Sequence, residues 1–394
     1  GTPICTERFP ILPVHTTLDR KLGISRDLLG MIFLKNHRAA NQVLCRDCYP
    51  RESETMRLKI NISLLIAFIF FSNPAFSENA NDRVASDVQV TILSSNLADG
   101  AAIGEWGFSA LVGADGMCIL FDTGRYPDTV IRNAKVLNVD LSCVTDIVLS
   151  HFHFDHNGGL LLLIKALSNA SISSISRVHV ANGFFSPRRS TIPSGTFYTC
   201  MGGGDGCNTM IEQRALIEAE GVEFVIHSEA TEILPSVWIS GPIDRPHPEI
   251  NYPTGSASNV LEVSMEEHWV EDFVPESQAL VVRTKNGPIV LLGCGHSGVV
   301  NALSQIRETI QDKSIHALMG GLHLFAADDQ TLTWTAERLR GIGIENLMAG
   351  HCTGIEPLIR LRAGLSLTRR TAVVGAVGSS FSLDVGIKPT NIAM

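Results

Sequence analysis

The stretch Leu149-Ser150-His151-Phe152-His153-Phe154-Asp155-His156-Asn157-Gly158-Gly159 limits what this chain can fold into more than any other. Three histidines and an aspartate fall within six residues, directly after the apolar run Asp146-Ile147-Val148-Leu149-Ser150, which reads as a buried strand. Alternate side chains of an extended segment share a face, so His151 and His153 can converge on one cation. Asp155 and His156 come where the chain must turn and can reach a second cation beside the first. Asn157-Gly158-Gly159 permits a tight path into an apolar helix, Leu160 to Leu167. A His-rich surface loop fits poorly, because solvated loops rarely hang four such ligands on a strand end. Core histidines fit no better, since burying them unpaired is costly. The residue types and spacing point to a metal centre.

Three later segments repeat the theme. Gln278–Thr284 and Pro288–Gly293 form a predicted hairpin turned at Asn286-Gly287, and the second strand delivers Gly293-Cys294-Gly295-His296-Ser297-Gly298 before a helix over Val299–Ile310. Ile315 to Leu324 is a strand ending in Gly320-Gly321-Leu322-His323. After a helix over Thr331–Arg340, Ile344–Ala349 delivers Gly350-His351-Cys352-Thr353-Gly354. A histidine among glycines at a strand end has little packing use. Strand ends at 151, 296, 323 and 351 therefore predict a common rim where the strands empty into a shared cleft.

Upstream, Val88–Leu93, Phe108–Val112 and Met117–Phe121 read as strands, the last two joined by the hairpin signal Asp115-Gly116. They lead to Phe121-Asp122-Thr123-Gly124. In isolation that aspartate would merely close a turn. Helices are expected over Tyr126–Val139 and Asn208–Glu220, and strands over Arg177–Ala181, Val222–Ile226 and Val237–Ser240. His179 alternates with apolar neighbours and is expected to be structural. His247 and Glu249, in a proline-bounded loop, are expected to be exposed and stay outside the metal site. Val373–Phe381 looks like closing strands. A β-rich first half followed by β-α units fits an α/β chain folded as one four-layer αβ/βα sandwich, with two sheets face to face and helices outside.

Composition sets bounds. The chain has 394 residues, 45% of them hydrophobic, and 34 glycines, enough for a sizeable core with many tight turns. Its formal charge of −9 argues against a nucleic-acid surface, which needs a basic face. Met56-Arg57-Leu58-Lys59, the apolar run Ile60–Phe71 and Ser72–Ser77 read as a secretory signal (residues 56–77) cleaved before Glu78. The run is short for a membrane span, so no stable span is expected after cleavage. Translation is then expected to begin at Met56, with residues 1–55 an unassigned upstream segment and 78–394 the working domain. Cys45-Arg46-Asp47-Cys48, a lone pair, receives no function. An exported chain, periplasmic or secreted, can form disulfides. Cys200 and Cys207, flanking a Gly-rich loop, are a candidate bridge, whereas Cys294 and Cys352 are expected to be reduced or near the metal.

The motif HFHFDHNGG matches His-x-His-x-Asp-His, and the chain resembles the metallo-β-lactamase superfamily. Together with FDTG, GCGHSG, GGLHL and GHCTG it is similar, over about residues 88–383, to the 7,8-dihydropterin-6-yl-methyl-4-(β-D-ribofuranosyl)aminobenzene 5′-phosphate synthase branch. That resemblance implies a metallo-β-lactamase-like sandwich. It implies a first metal on His151 and His153 with His296, and a second on Asp155 and His156 with His351. His323 becomes a further ligand or a pocket hydrogen-bonding group. Asp122 becomes an outer carboxylate that orients ligands, and Asp155 a candidate proton shuttle. Where many relatives carry a bridging aspartate, this chain has Cys294-Gly295-His296, which puts a standard two-metal bridge in doubt. Ligand softness favours one or two zinc ions, with manganese or iron also suited.

The first expectation for function is a metal-dependent hydrolase acting on an ester, lactone or phosphodiester of a small molecule through metal-activated water. The alternatives are a transferase-like synthase, for which Arg188, Arg189 and Arg245 are the loop candidates to hold a phosphate, and a non-catalytic metal-binding protein.

Overall fold

The structure is a computed structural model that describes residues 83–169, 175–190, 209–249, 251 and 261–393. The expected upstream segment and signal, Cys45 and Cys48, and the Cys200–Cys207 bridge lie outside the described residues.

Strand β1 (Val88–Ser94) pairs antiparallel with β2 (Ser109–Ala114), which turns into β3 (Met117–Phe121). Asp115 and Gly116 both have positive φ, 46° and 84°, the backbone that a two-residue hairpin of this hand requires. From β3 the chain crosses through α1 (Thr129–Leu137) to the parallel strand β4 (Val144–Val148). The short α2 (Phe154–Asn157) and α3 (Leu160–Asn169) then lead to β5 (Arg177–Ala181). After an excursion containing β6 (Arg188–Ser190), α4 (Thr209–Glu218) returns the chain to β7 (Glu223–His227), parallel to β5.

The second sheet begins with β8 (Thr231–Leu234) and β9 (Val237–Ile239). A second excursion, β10 (Leu261–Met265) and β11 (His268–Glu271), pairs with β6 in a small sheet of its own. Strands β12 (Ala279–Val282) and β13 (Ile289–Leu292) follow. Helices α5 (Val299–Thr309), α6 (Asp329–Ile342) and α7 (Ile355–Gly364) alternate with the parallel strands β14 (Ile315–Gly320), β15 (Ile344–Ala349) and β16 (Ala372–Val374). Finally β17 (Ser380–Ser382) and β18 (Gly386–Lys388) extend the first sheet beyond β1.

Every residue of β12 and β13 is buried, because both faces of their sheet are covered. Val90, Ile92, Phe108 and Phe121 of the first sheet meet Leu280, Leu291, Met319 and Met348 of the second between the two sheets. Outside, α1, α3 and α4 pack on the first sheet through Val130, Leu163 and Ile217. Helices α5, α6 and α7 pack on the second through Leu303, Leu339 and Leu361. Each fully buried side chain of this size contributes about 1.5–3 kcal/mol. The architecture is the four-layer αβ/βα sandwich. The parallel strands β3 and β4 and the parallel strands β13, β14 and β15 all end at the same rim, where ligands of open α/β sheets bind.

The Cys118–Cys143 disulfide joins β3 to the start of β4. Its pairing follows from the parallel register that sets Cys118 opposite Val144, information that cysteine spacing does not carry.

Candidate metal centre

The rim gathers residues far apart in sequence. After β4 the chain presents His151 Nε2 and His153 Nδ1 2.9 Å apart, and His296 Nε2, just beyond β13, lies 3.1 Å from His153 Nδ1. Partners on the outer side assign the tautomers. Ser150 Oγ gives its proton to Asp122 Oδ2 (2.8 Å), so at the 2.8 Å contact with His151 it must accept from Nδ1. His296 Nδ1 donates to the Asn251 carbonyl at 2.7 Å. The inward Nε2 atoms of His151 and His296 are therefore lone pairs. Burial first, then mutual repulsion among the rings, pushes both histidines well below the usual histidine range. His153 is held at about 4, mainly by burial. Neutral ring nitrogens crowded together in this way make a candidate cation site.

A second set adjoins the first. His156 Nε2 lies 3.1 Å from Cys294 Sγ and 3.3 Å from His351 Nε2, and Asp155 Oδ2 lies 3.2 Å from the same His351 nitrogen. Burial opposes charge on His156, but Asp155 and Asp122 outweigh it and raise the ring to about 9. Burial likewise opposes charge on Asp155, yet His156 and His351 hold it well below the carboxylate range. The set thus calls for a positive charge. Asp155 Oδ1 is buried and has no hydrogen-bond partner among the described residues, and the same holds for His323 Nδ1. Ligand atoms of a tetrahedral ion with bonds of about 2.0–2.1 Å sit about 3.3 Å from one another. Both sets approach that spacing, and a third grouping brings Cys294, His296 and His323 within 4.8 Å. Donor type and spacing therefore fit zinc or another divalent ion.

Backbone constraint holds these atoms in place. Asp122, His323 and His351 adopt positive φ of 56°, 47° and 49°, an uncommon conformation for residues other than glycine. Asp122 Oδ1 accepts from Ser150 N at 2.7 Å, and its Oδ2 from His156 Nδ1 at 2.7 Å, so one carboxylate ties two strand ends together. Gly293 is required where the two sheets meet, because a Cβ there would overlap Ser150 Oγ and lie 2.7 Å from Asp122 Oδ2. Without that close approach Cys294 could not reach His156.

Comparison with known proteins agrees with this geometry. The profile of the metallo-beta-lactamase superfamily matches residues 107–250, which include the HFHFDHNGG stretch. The crystal structure of Tm1679, a metal-dependent hydrolase of the beta-lactamase superfamily, aligns with a TM-score of 0.55 at 27% identity, covering 71% of this chain and 94% of that one. Over residues 107–250 the chain is similar to the metallo-β-lactamase superfamily, and it shares its fold with Tm1679.

Among proteins similar to this chain, a 7,8-dihydropterin-6-methyl-4-(beta-D-ribofuranosyl)-aminobenzene-5'-phosphate synthase of Methanocaldococcus jannaschii is 27% identical over 238 residues, 60% of this chain and 76% of that protein. The uncharacterized protein MJ0448 of the same organism is 26% identical over 272 residues, 69% of this chain and 93% of the other.

For this metallo-β-lactamase-like chain the structure brings His151, His153, Asp155, His156, His296, His351 and His323 to one rim and sets Asp122 behind them. It adds residues that the sequence had not singled out. Asn251 orients His296, and the Asn96 side-chain oxygen lies 3.3 Å from His351 Nδ1. Glu249 differs from the exposed loop residue expected of it. Its carboxylate accepts from Val300 N and Asn301 N at the start of α5, at 3.1 and 2.8 Å, and burial raises it to about 7.

The three loop arginines are engaged in structure. Arg188 is buried and paired with Asp272 (3.0 Å) and Glu276 (2.6 Å), and Glu276 in turn accepts from Phe152 N between the first two histidines. Arg189 pairs with Glu262, and Arg245 donates to the carbonyls of His296, Phe273 and Val274. No spacing rule marks such residues, since their partners lie on other strands.

Proposed function

We propose that the chain is a metal-dependent hydrolase of a small-molecule ester, lactone or phosphodiester, with one or two zinc ions held at the rim. The observation that carries this is the convergence of His151 Nε2 and His296 Nε2, both turned inward as lone pairs by their outer partners, on His153 Nδ1 at 2.9 and 3.1 Å. His151, His153 and His296 would hold one ion. Asp155, His156, Cys294 and His351 would hold the other, with Cys294 coordinating as the thiolate and its proton displaced to solvent despite the burial that raises the thiol. Such an ion supplies the Lewis acidity that readies water for attack at neutral pH. The chain's own residues do the rest. Asp122 and Asn251 fix ring orientation, Asp155 Oδ1 is free to hold a proton taken from the attacking water, and His323 Nδ1 faces the site able to hydrogen-bond a substrate oxygen.

The relative named as a synthase supports a second reading, in which the same centre joins a ring to a sugar phosphate. Engagement of Arg188, Arg189 and Arg245 in internal pairs favours hydrolysis over that reading. Turnover of ester, lactone and phosphodiester panels by zinc- and manganese-loaded protein, lost on chelation, is the expected result. Stoichiometric metal without turnover of any of them would instead support a non-catalytic metal-binding protein. We further propose that the chain is exported. The signal-like residues 56–77 and the Cys118–Cys143 bridge favour an oxidising compartment, and mass spectrometry of exported protein should find Glu78 first.

A further inference from the structure

Two large aromatic side chains stand in solvent at the rim. Trp106, between β1 and β2, is 37% exposed, and Phe325, after β14, is 51% exposed. The indole lies 5.1 Å from the His351 ring, the phenyl 5.2 Å from the His323 ring, and the two meet edge to face at 5.9 Å with an interplanar angle of 89°. They come from the two different sheets, so the fold itself assembles the pair.

Both are held rigidly. The neighbour of Trp106, Glu105, is buried and its carboxylate accepts four hydrogen bonds. These come from Ser94 Oγ (2.6 Å), Arg125 N (2.9 Å), Tyr126 N (3.0 Å) and Thr129 Oγ1 (2.8 Å). On the other side Gly107 packs so closely that a Cβ would lie 2.9 Å from both Arg125 N and the Asp155 carbonyl. Phe325 N donates to the Cys352 carbonyl at 3.3 Å, and Gly354 leaves room only for hydrogen beside the Phe325 backbone. A buried carboxylate saturated with donors is an expensive way to hold an exposed indole in place, unless the indole binds something.

We propose that Trp106 and Phe325 form a preformed corner that takes a planar aromatic ring next to the scissile group of the substrate. The inference rests on the metal centre described above. Perpendicular rings offer two faces at a right angle, the arrangement in which a third flat ring can stack on the indole while its edge meets the phenyl face. An alkyl chain gains nothing from that angle.

The test uses the full zinc-loaded chain and two probes with the same anionic head, phenylphosphonate and methylphosphonate, titrated by calorimetry. Expected is metal-dependent binding of both, with the phenyl compound about tenfold tighter. That preference should fall to within about twofold in Trp106→Ala and in Phe325→Ala and persist in Trp106→Phe, while methylphosphonate affinity stays unchanged and so reports an intact fold. Metal-dependent binding without a ring preference, or a preference that survives both alanine variants, overturns the aromatic corner and leaves the metal centre standing. Binding of both probes that ignores chelation, or no binding of either, overturns the metal centre and the corner together.

Discussion

Two clusters of histidine and aspartate, one within the first sheet and one at the rim where both sheets end, behave differently. In one, on β4, β5 and β7, Asp146 Oδ1 accepts from His179 Nε2 (2.9 Å) and Arg177 Nε (2.7 Å), and His179 Nδ1 meets His227 Nε2 at 3.0 Å. Every contact there pairs a donor with an acceptor, and the cluster is complete as it stands. In the other, at the strand ends, the Nε2 lone pairs of His151 and His296 both turn toward His153 Nδ1, and Asp155 Oδ1 has no partner among the described residues. Residue type alone does not distinguish a structural histidine from a ligand. The direction of the lone pairs does.

That contrast can be broken in four ways. The largest effect should come from replacing His151 and His153 together by alanine, which should abolish one equivalent of bound zinc and the metal-dependent hydrolysis, read by elemental analysis and turnover. An unchanged metal content would remove the distinction between the clusters. Next, Asp122→Asn should weaken metal binding by about 10–100-fold, measured by competition with a chelator, because it loses the acceptor that orients His156. The structural cluster should give the opposite pattern. Asp146→Asn should lower stability by about 1–3 kcal/mol in denaturant unfolding while metal content stays the same.

The smallest effect concerns pH. Burial, with His179 beside it, depresses His227 to about 4, against about 6.5 in the unfolded chain. A histidine depressed in the folded state contributes stability that is complete above pH 6.5 and declines as pH falls toward 4. Asp146 is held below the carboxylate range chiefly by His179 and Arg177, which outweigh its burial, so its contribution is complete above about pH 4 and is lost on further acidification. His227→Gln should therefore flatten the loss of thermal stability between pH 6.5 and 4 without altering the steeper loss below it. An unaltered slope in the upper window would show that the cluster does not titrate as its geometry requires.

Much of the fold was legible because its signals are local. Alternation marked β1, Asp115-Gly116 marked the hairpin of β2 and β3, and the runs Ile289–Leu292 and Ile344–Ala349 marked buried strands. The small sheet of β6, β10 and β11 was not legible. Its strands are short and largely exposed, and their pairing joins residues about seventy positions apart, as in Arg189 opposite Glu262. Helix α7 was missed as well. Pro357 near its start and Gly364 at its end blur the periodicity, and its burial depends on contact with α6 and β16.

The sequence by itself determined the donor types and which strand end carries each one. Those follow from side-chain chemistry and from periods of two and 3.6 residues that are written along the chain. Only the tertiary structure decided that Cys294 meets His156, that Glu105 anchors the loop of Trp106, and that Arg188 is spent on Asp272 and Glu276. Each of those contacts depends on how strands from distant parts of the chain come to rest beside one another, and hydrogen-bond direction and close packing settle that only after the sheets have met.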